Sequence, residues 1–213
     1  MLATIVINIV AVSLLVVAPW SNWRTGLALN LVDNSLLVGF ALVRRDELLG
    51  RFVILGLAVG ITELAADAGL VDYTRNARLF SGWRPMIWRS PLWKPLAWEV
   101  VALQFGYIGL RLWERFDKVG LLLVALLGAV NIPFYEEMAR KIHWWQYIGC
   151  RMVSFTPWYI ILGEFGIALA FALLARRLRR GSWRAAVVAG IAGGLLTFAC
   201  YTAAFFITDR LFP

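Results

Sequence analysis

The sequence predicts an all-α integral membrane protein: a bundle of about seven transmembrane helices, with two aromatic-rich loops capping one face. Three observations carry this. Apolar residues fill 61% of 213 positions and mean hydropathy is +0.73, more than a soluble domain needs for its core. They fall in runs approaching the ~20 residues that carry a helix across hydrocarbon. Tryptophan and tyrosine crowd two of the connections, a placement that suits the headgroup zone.

The first run, "MLATIVINIVAVSLLVVAPW", predicts a span over Leu2–Ala18. It lacks a basic start and an Ala-x-Ala-like site, so it reads as a retained span and not a cleaved signal. Spans over Leu27–Val43 and Arg51–Leu70 follow, separated by the charged turn "RRDELLGR". The aromatic loop "VDYTRNARLFSGWRPMIWRSPLWK" leads to a span over Pro95–Trp113. After "RLWERFDK" comes Val119–Phe134, which Pro133 is expected to end or break. The second aromatic loop, "YEEMARKIHWWQYIGCRMVSFT", precedes Pro157–Ala175; "ARRLRRGSWR" then leads to Ala185–Ile207. No linker or low-complexity tail interrupts the chain, so residues 1–213 read as one polytopic domain. Gly56 with Gly60, and Ala186 with Gly190 and Gly194, form stripes of small residues that let helices approach closely in lipid.

The net charge of +8 lies in the connections, where topology and anionic headgroups account for it. Nucleic acid is therefore not expected as a partner. Basic residues nearly balance across the two sides. The dense "RRLRR" places the N-terminus in the cytoplasm, with a bacterial inner membrane as the expected location. The two cysteines, Cys150 and Cys200, define neither a disulfide framework nor a metal knuckle. Oligomeric state is not readable.

Seven acids lie in or beside the apolar runs: Asp33, Glu63, Asp67, Glu99, Glu136, Glu137 and Glu164. A carboxylate in hydrocarbon costs several kcal/mol unless it is paired, hydrated or protonated. At ~1.5 Å rise per residue, Asp33, Glu63, Asp67, Glu99 and Glu164 fall roughly 5–10 Å from the side bearing the aromatic loops. Glu136 and Glu137 sit at its boundary. A shared depth predicts one polar pocket opening toward that face. The bland alternative is a lattice of ion pairs, because the loops carry Arg75, Arg78, Arg84, Arg89, Arg140 and Arg151.

Metal–histidine catalysis needs several histidines, and His143 is the only one. It sits in "KIHWWQY" and reads as an interfacial loop residue. HExxH, Gly-x-Ser-x-Gly, Walker and dinucleotide fingerprints are absent. A carboxylate magnesium site from Glu63, Asp67 and Glu99 stays open, although Asp-Asp-x-x-Asp is missing; the preferred reading needs no metal and no cofactor. Proton chemistry fits better. An acid buried in apolar surroundings keeps its proton and can give it to an alkene or epoxide. Aromatic faces can stabilise the resulting cation. Trp98 adjoins Glu99, Trp144 and Trp145 follow the Glu136–Glu137 pair, and Trp158 with Tyr159 precedes Glu164.

The segments "TELAADAGLVDY…SPLWKPLAWEVVALQFGY" and "NIPFYEEMARKIHWWQY…TPWYIILGEFGIA" resemble the layout of the bacterial carotenoid hydratase family. The matching positions are Glu63, Tyr73, Pro95 with Trp98, Glu136 or Glu137, Trp144 with Trp145, and Pro157, over about half the chain. "PFYEE" is similar to the Pro-x-Glu-Glu motif of membrane lycopene cyclases, with one residue more. Small seven-span terpene cyclases, which rely on paired acids, are similar in style. The resemblance implies an isoprenoid substrate.

The expected function is therefore acid-initiated hydration or cyclisation of an isoprenoid or similar lipid. Glu63 and Asp67 are the first donor candidates, and Glu136 or Glu137 would orient the donor, activate water or take the final proton. Asp33, Glu99 and Glu164 complete the polar wall. Trp98, Trp144, Trp145, Trp158 and Tyr159 line the cation path, and Arg89 and Arg151 bind a headgroup or hold the loops. The rival readings are a proton-coupled transporter or binding protein, and a structural subunit of a membrane complex.

Overall fold

The computed structural model describes residues 2–79 and 85–211. Among them are seven α-helices: α1 (Leu2–Val17), α2 (Trp23–Arg44), α3 (Glu47–Ala68), α4 (Lys94–Phe116), α5 (Lys118–Lys141), α6 (Trp158–Leu178) and α7 (Trp183–Phe205). Arg78, Arg84 and the rest of 80–84 contribute no described side chains. Local chemistry sets several helix starts. Asn22 accepts from Arg24 N and donates its own backbone N–H to Thr25 Oγ1, a reciprocal cap on α2. Asp46 caps α3 through Leu49 N, and Ser182 caps α7 through Ala185 N.

Five helices are long and apolar enough to cross a membrane: α2, α3 with its extension, α5, α6, and α7 with its extension. α1 is apolar but shorter, and α4 carries Lys94, Glu99, Arg111, Glu114 and Arg115. Large apolar side chains point outward on several helices, Val43, Ile61, Val130 and Val188 among them. Such a surface suits lipid and not water. The chain is thus a predominantly helical, multi-pass membrane protein.

α3 sits at the centre of the packing. Its contact with α4 is set by glycine: a Cβ at Gly56 would lie 2.8 Å from the Glu99 carbonyl oxygen, and one at Gly60 would strike the Pro95 backbone. α7 approaches the opposite side, where Gly190 and Gly194 meet Leu55, Ala58 and Thr62. α6 closes the core with Ile167, Ala168, Phe171, Ala172 and Ala175, all fully or almost fully buried. These contacts depend on close backbone approach.

Two expectations need correction. Pro133 neither ends nor breaks α5, which continues to Lys141. A proline deprives the carbonyl one turn earlier of its donor, but Met138, Ala139 and Ile142 beyond it are fully buried and hold the last turns in place. Likewise Arg51–Leu70 is too short: α3 starts at Glu47 and runs into a π-helical turn, Gly69–Tyr73. A second π-helical stretch, Phe206–Leu211, prolongs α7.

The two long loops pair with each other. β1 (Ala77–Leu79) is antiparallel to β4 (Trp145–Tyr147), with Ala77 opposite Tyr147 and Leu79 opposite Trp145. Short hairpins flank this ladder: β2 (Met86–Ile87) with β3 (Ser90–Pro91), and β5 (Met152–Val153) with β6 (Thr156–Pro157). Pairing thus fixes Trp145 and Tyr147 over the ends of the helices, where the site is found.

Candidate active site

Carboxyl groups from three helices line one cavity of about 90 Å³: Asp67 of α3, Glu136 of α5 and Glu164 of α6. Lys94 from the first turn of α4 and Tyr201 from α7 complete its polar wall, and Trp98 and Trp145 supply aromatic faces. Five helices therefore contribute to one polar chamber.

Each acid has a different environment. Asp67 accepts from Lys94 Nζ at 2.5 Å on one oxygen and from Ser90 Oγ at 2.5 Å on the other. Glu136 is held on both oxygens, by Trp145 Nε1 at 2.6 Å and by Tyr147 O–H at 3.1 Å. Tyr201 O–H donates to Glu164 Oε1 at 2.5 Å. Lys94 also lies 4.6 Å from the centroid of the Trp145 ring, so one cation links α3, α4 and β4. Tyr147 lies outside the spans; burial, with Glu136 beside it, pushes its phenol well above the usual range. It therefore keeps its proton and remains a donor to Glu136.

Glu63 lies one helical turn below Asp67, fully buried, and interacts with the Asp67 carboxyl. It does not line the cavity. No N–H among the described residues reaches either of its oxygens, so its polar contact is with the Asp67 carboxyl. Trp98 lines the chamber and meets Tyr201 edge-on at 6.5 Å. Trp145 faces inward, while Trp144 stacks behind it at 5.5 Å and 25°. Arg89 lines the opening and pairs with Asp72 at 2.9 Å.

Five of the expected residues belong elsewhere. Glu137 is directed about 100° around α5 from Glu136 by the helical period, and it pairs with Arg140 at 2.7 Å on a partly exposed face. Asp33 accepts from Asn8 of α1 at 2.7 Å, away from the chamber lining. Glu99 is buried where α4 meets Gly56. Trp158 is half exposed, and Arg151 is exposed near Asp209. A sixth, Tyr159, supports the site from behind, with its ring perpendicular to those of Tyr147 and Phe205. A shared depth counted along the sequence does not choose a direction: the rotation of each helix sends Glu137, Asp33 and Glu99 to other interfaces. With Glu99 apart from Glu63 and Asp67, that magnesium set does not assemble; among the described residues no group of three His, Cys, Asp or Glu side chains is arranged to hold a metal ion.

Sequence reasoning missed Lys94, Ser90, Tyr135, Tyr147, Asn131 and Tyr201. Lys94 had a usable signal: it is one of only three lysines and stands directly before the proline that opens a helix. Asn131 and Tyr135 also line a second cavity, of about 400 Å³, between α1, α2, α4 and α5.

A family model described as a domain of unknown function, DUF6989, matches residues 64–208. The chain belongs to the DUF6989 family. No curated protein and no solved structure matches it. The DUF6989 segment contains every polar chamber residue named above, from Asp67 to Tyr201, whereas α1 and α2 precede it.

Proposed function

We propose that this DUF6989 protein is a membrane enzyme that adds a proton to an isoprenoid or similar lipid, initiating hydration or cyclisation. The observation that carries this is the meeting of Asp67, Glu136 and Glu164 beside Trp98 and Trp145 in one small cavity. In this reading all seven helices span the membrane, the N-terminus faces the cytoplasm of a bacterial cell, and the two paired loops cap the chamber.

The roles divide by hydrogen bonding. Asp67, held by an ammonium and a hydroxyl, is the fixed anion. Glu164 has one oxygen occupied by Tyr201; its other oxygen carries the proton that goes to an alkene carbon. The C=C π pair forms the new C–H bond and leaves a carbocation, which the faces of Trp98 and Trp145 stabilise. Water, or a second alkene of the same chain, attacks the cation. Glu136 accepts from two donors, as suits a base, and takes the proton released. Glu63, buried behind Asp67 and outside the cavity lining, takes no direct part in the transfer.

Converting Glu164 to Gln in a membrane preparation from an isoprenoid-producing host tests the assignment. The expected loss is at least about 10²-fold in product formation, the usual scale for a general acid. Wild-type turnover by Glu164→Gln would remove Glu164 as the donor. The buried Lys94–Asp67 pair also suits a proton-coupled transporter. Solute uptake into liposomes with no chemical change in the solute would favour that second reading.

A further inference from the structure

We propose that the second cavity holds the chain of the lipid whose reacting end enters the acid chamber, and that α1 forms its outer wall. This deepens the proton-transfer reading and rests on it. The two spaces differ in size and character. The acid chamber is about 90 Å³ and lined by charged side chains, Asp67, Arg89, Lys94, Glu136 and Glu164, whereas its neighbour is about 400 Å³ and has amides and Tyr135 as its only polar members among the described residues. They adjoin: Ala97, Val101, Phe105, Asn131 and Tyr135 line both. A molecule with a small reacting group and a long apolar body fits that shape.

The walls come from two sources. α4 and α5 supply Ile108, Leu127 and Phe134; α1 supplies Ile5, Ile9 and Val12. Along α4 the cavity runs from Ala97 to Ile108, about 16 Å at 1.5 Å per residue. Among the polar members, Gln104 has a buried amide nitrogen with no acceptor among the described residues. The DUF6989 segment starts at residue 64, so the α1 wall lies outside it while the acids lie within. Part of the chain wall thus comes from α1, outside the family segment, while α4 and α5 supply the rest from within it. α1 packs on α2 and α5, and its outer face is apolar, with Val6 and Val10 exposed. A lipid would reach the cavity sideways from the bilayer, past this helix.

The test uses the full-length protein in phosphatidylcholine nanodiscs and a geranylgeraniol probe with a diazirine at the end remote from its hydroxyl. After photolysis, peptide mass spectrometry maps the adducts. Adducts at Ile9, Val12 or Leu127 at least tenfold above Val188 and Leu195 of α7, and suppressed by unlabelled geranylgeraniol, support the chain compartment. Even labelling of all outward faces, or labelling that unlabelled alcohol does not suppress, overturns it. Ile9→Trp should lower labelling at Leu127 at least tenfold. The wild-type map decides the matter if that variant does not fold. Glu164→Gln should label like wild type, because occupancy needs no proton transfer. Cavity adducts without any product would sink the reaction and leave the compartment standing. Product formation with adducts elsewhere would do the reverse.

Discussion

Replacing Lys94 by Met should destabilise the protein more than removing any exposed cation. The Lys94 and Asp67 side chains are 13% and 7% exposed and their charged atoms lie 2.5 Å apart. At an effective dielectric near 20 the gross attraction is about 7 kcal/mol, much of it offset by the cost of burying both charges. Lys94→Met keeps the chain length but leaves Asp67 buried with Ser90 as its remaining donor. Breaking such a pair from one side costs about 3–5 kcal/mol. Adding Asp67→Asn removes the stranded charge and should recover at least half of the loss. Arg89→Met is the control: its pair with Asp72 is about half exposed on both sides, so it should cost less than about 1 kcal/mol. Chemical denaturation in detergent micelles, read by tryptophan fluorescence, gives the three differences. Equal small losses for Lys94→Met and Arg89→Met, or no recovery in the double variant, would refute a buried pair as the organiser of the chamber.

Other substitutions probe packing and assignment. Gly60→Leu should prevent α3 from seating on α4, because even a Cβ meets the Pro95 backbone, whereas Gly39→Leu, with none of the described residues within 4 Å, should change stability by less than about 0.5 kcal/mol; size-exclusion profiles and melting curves read both. Glu137→Gln should leave product formation unchanged, since that acid pairs with Arg140 away from the chamber, while Trp145→Phe, which removes the 2.6 Å donor to Glu136, should slow it roughly 10-fold. Burial pushes the Cys150 thiol up to about 11. In a Cys200→Ala background its alkylation rate should therefore rise about tenfold per pH unit from 8 toward 11, because only the thiolate reacts; a rate flat above pH 9 would contradict this.

The sequence made the apolar helices legible because lipid imposes a length on each run. Helix ends were less legible. Pro133 is a strong local breaker, and nothing nearby reveals that Met138 and Ala139 will be buried deeply enough to carry α5 onward. The depth of the acids could be counted from residue rise; their direction could not. Glu136 and Glu137 are adjacent, yet only Glu136 faces the chamber, and that depends on how α5 is rotated against α6. Asp33, expected at the depth of the others, turns to Asn8 of α1. The Lys94–Asp67 and Tyr201–Glu164 contacts join residues 27 and 37 positions apart, distances at which a single sequence carries no pairing signal. Small residues were more informative, since Gly56, Gly60, Gly190 and Gly194 each mark a close helix contact.

Solvent deuterium tests the central claim most directly. Membranes containing the protein, supplied with isoprenoid extract in D₂O, should yield a product with one deuterium fixed on carbon, and Glu164→Gln membranes should yield almost none. A product free of carbon-bound deuterium, or equal labelling in the variant, would contradict proton delivery from this chamber.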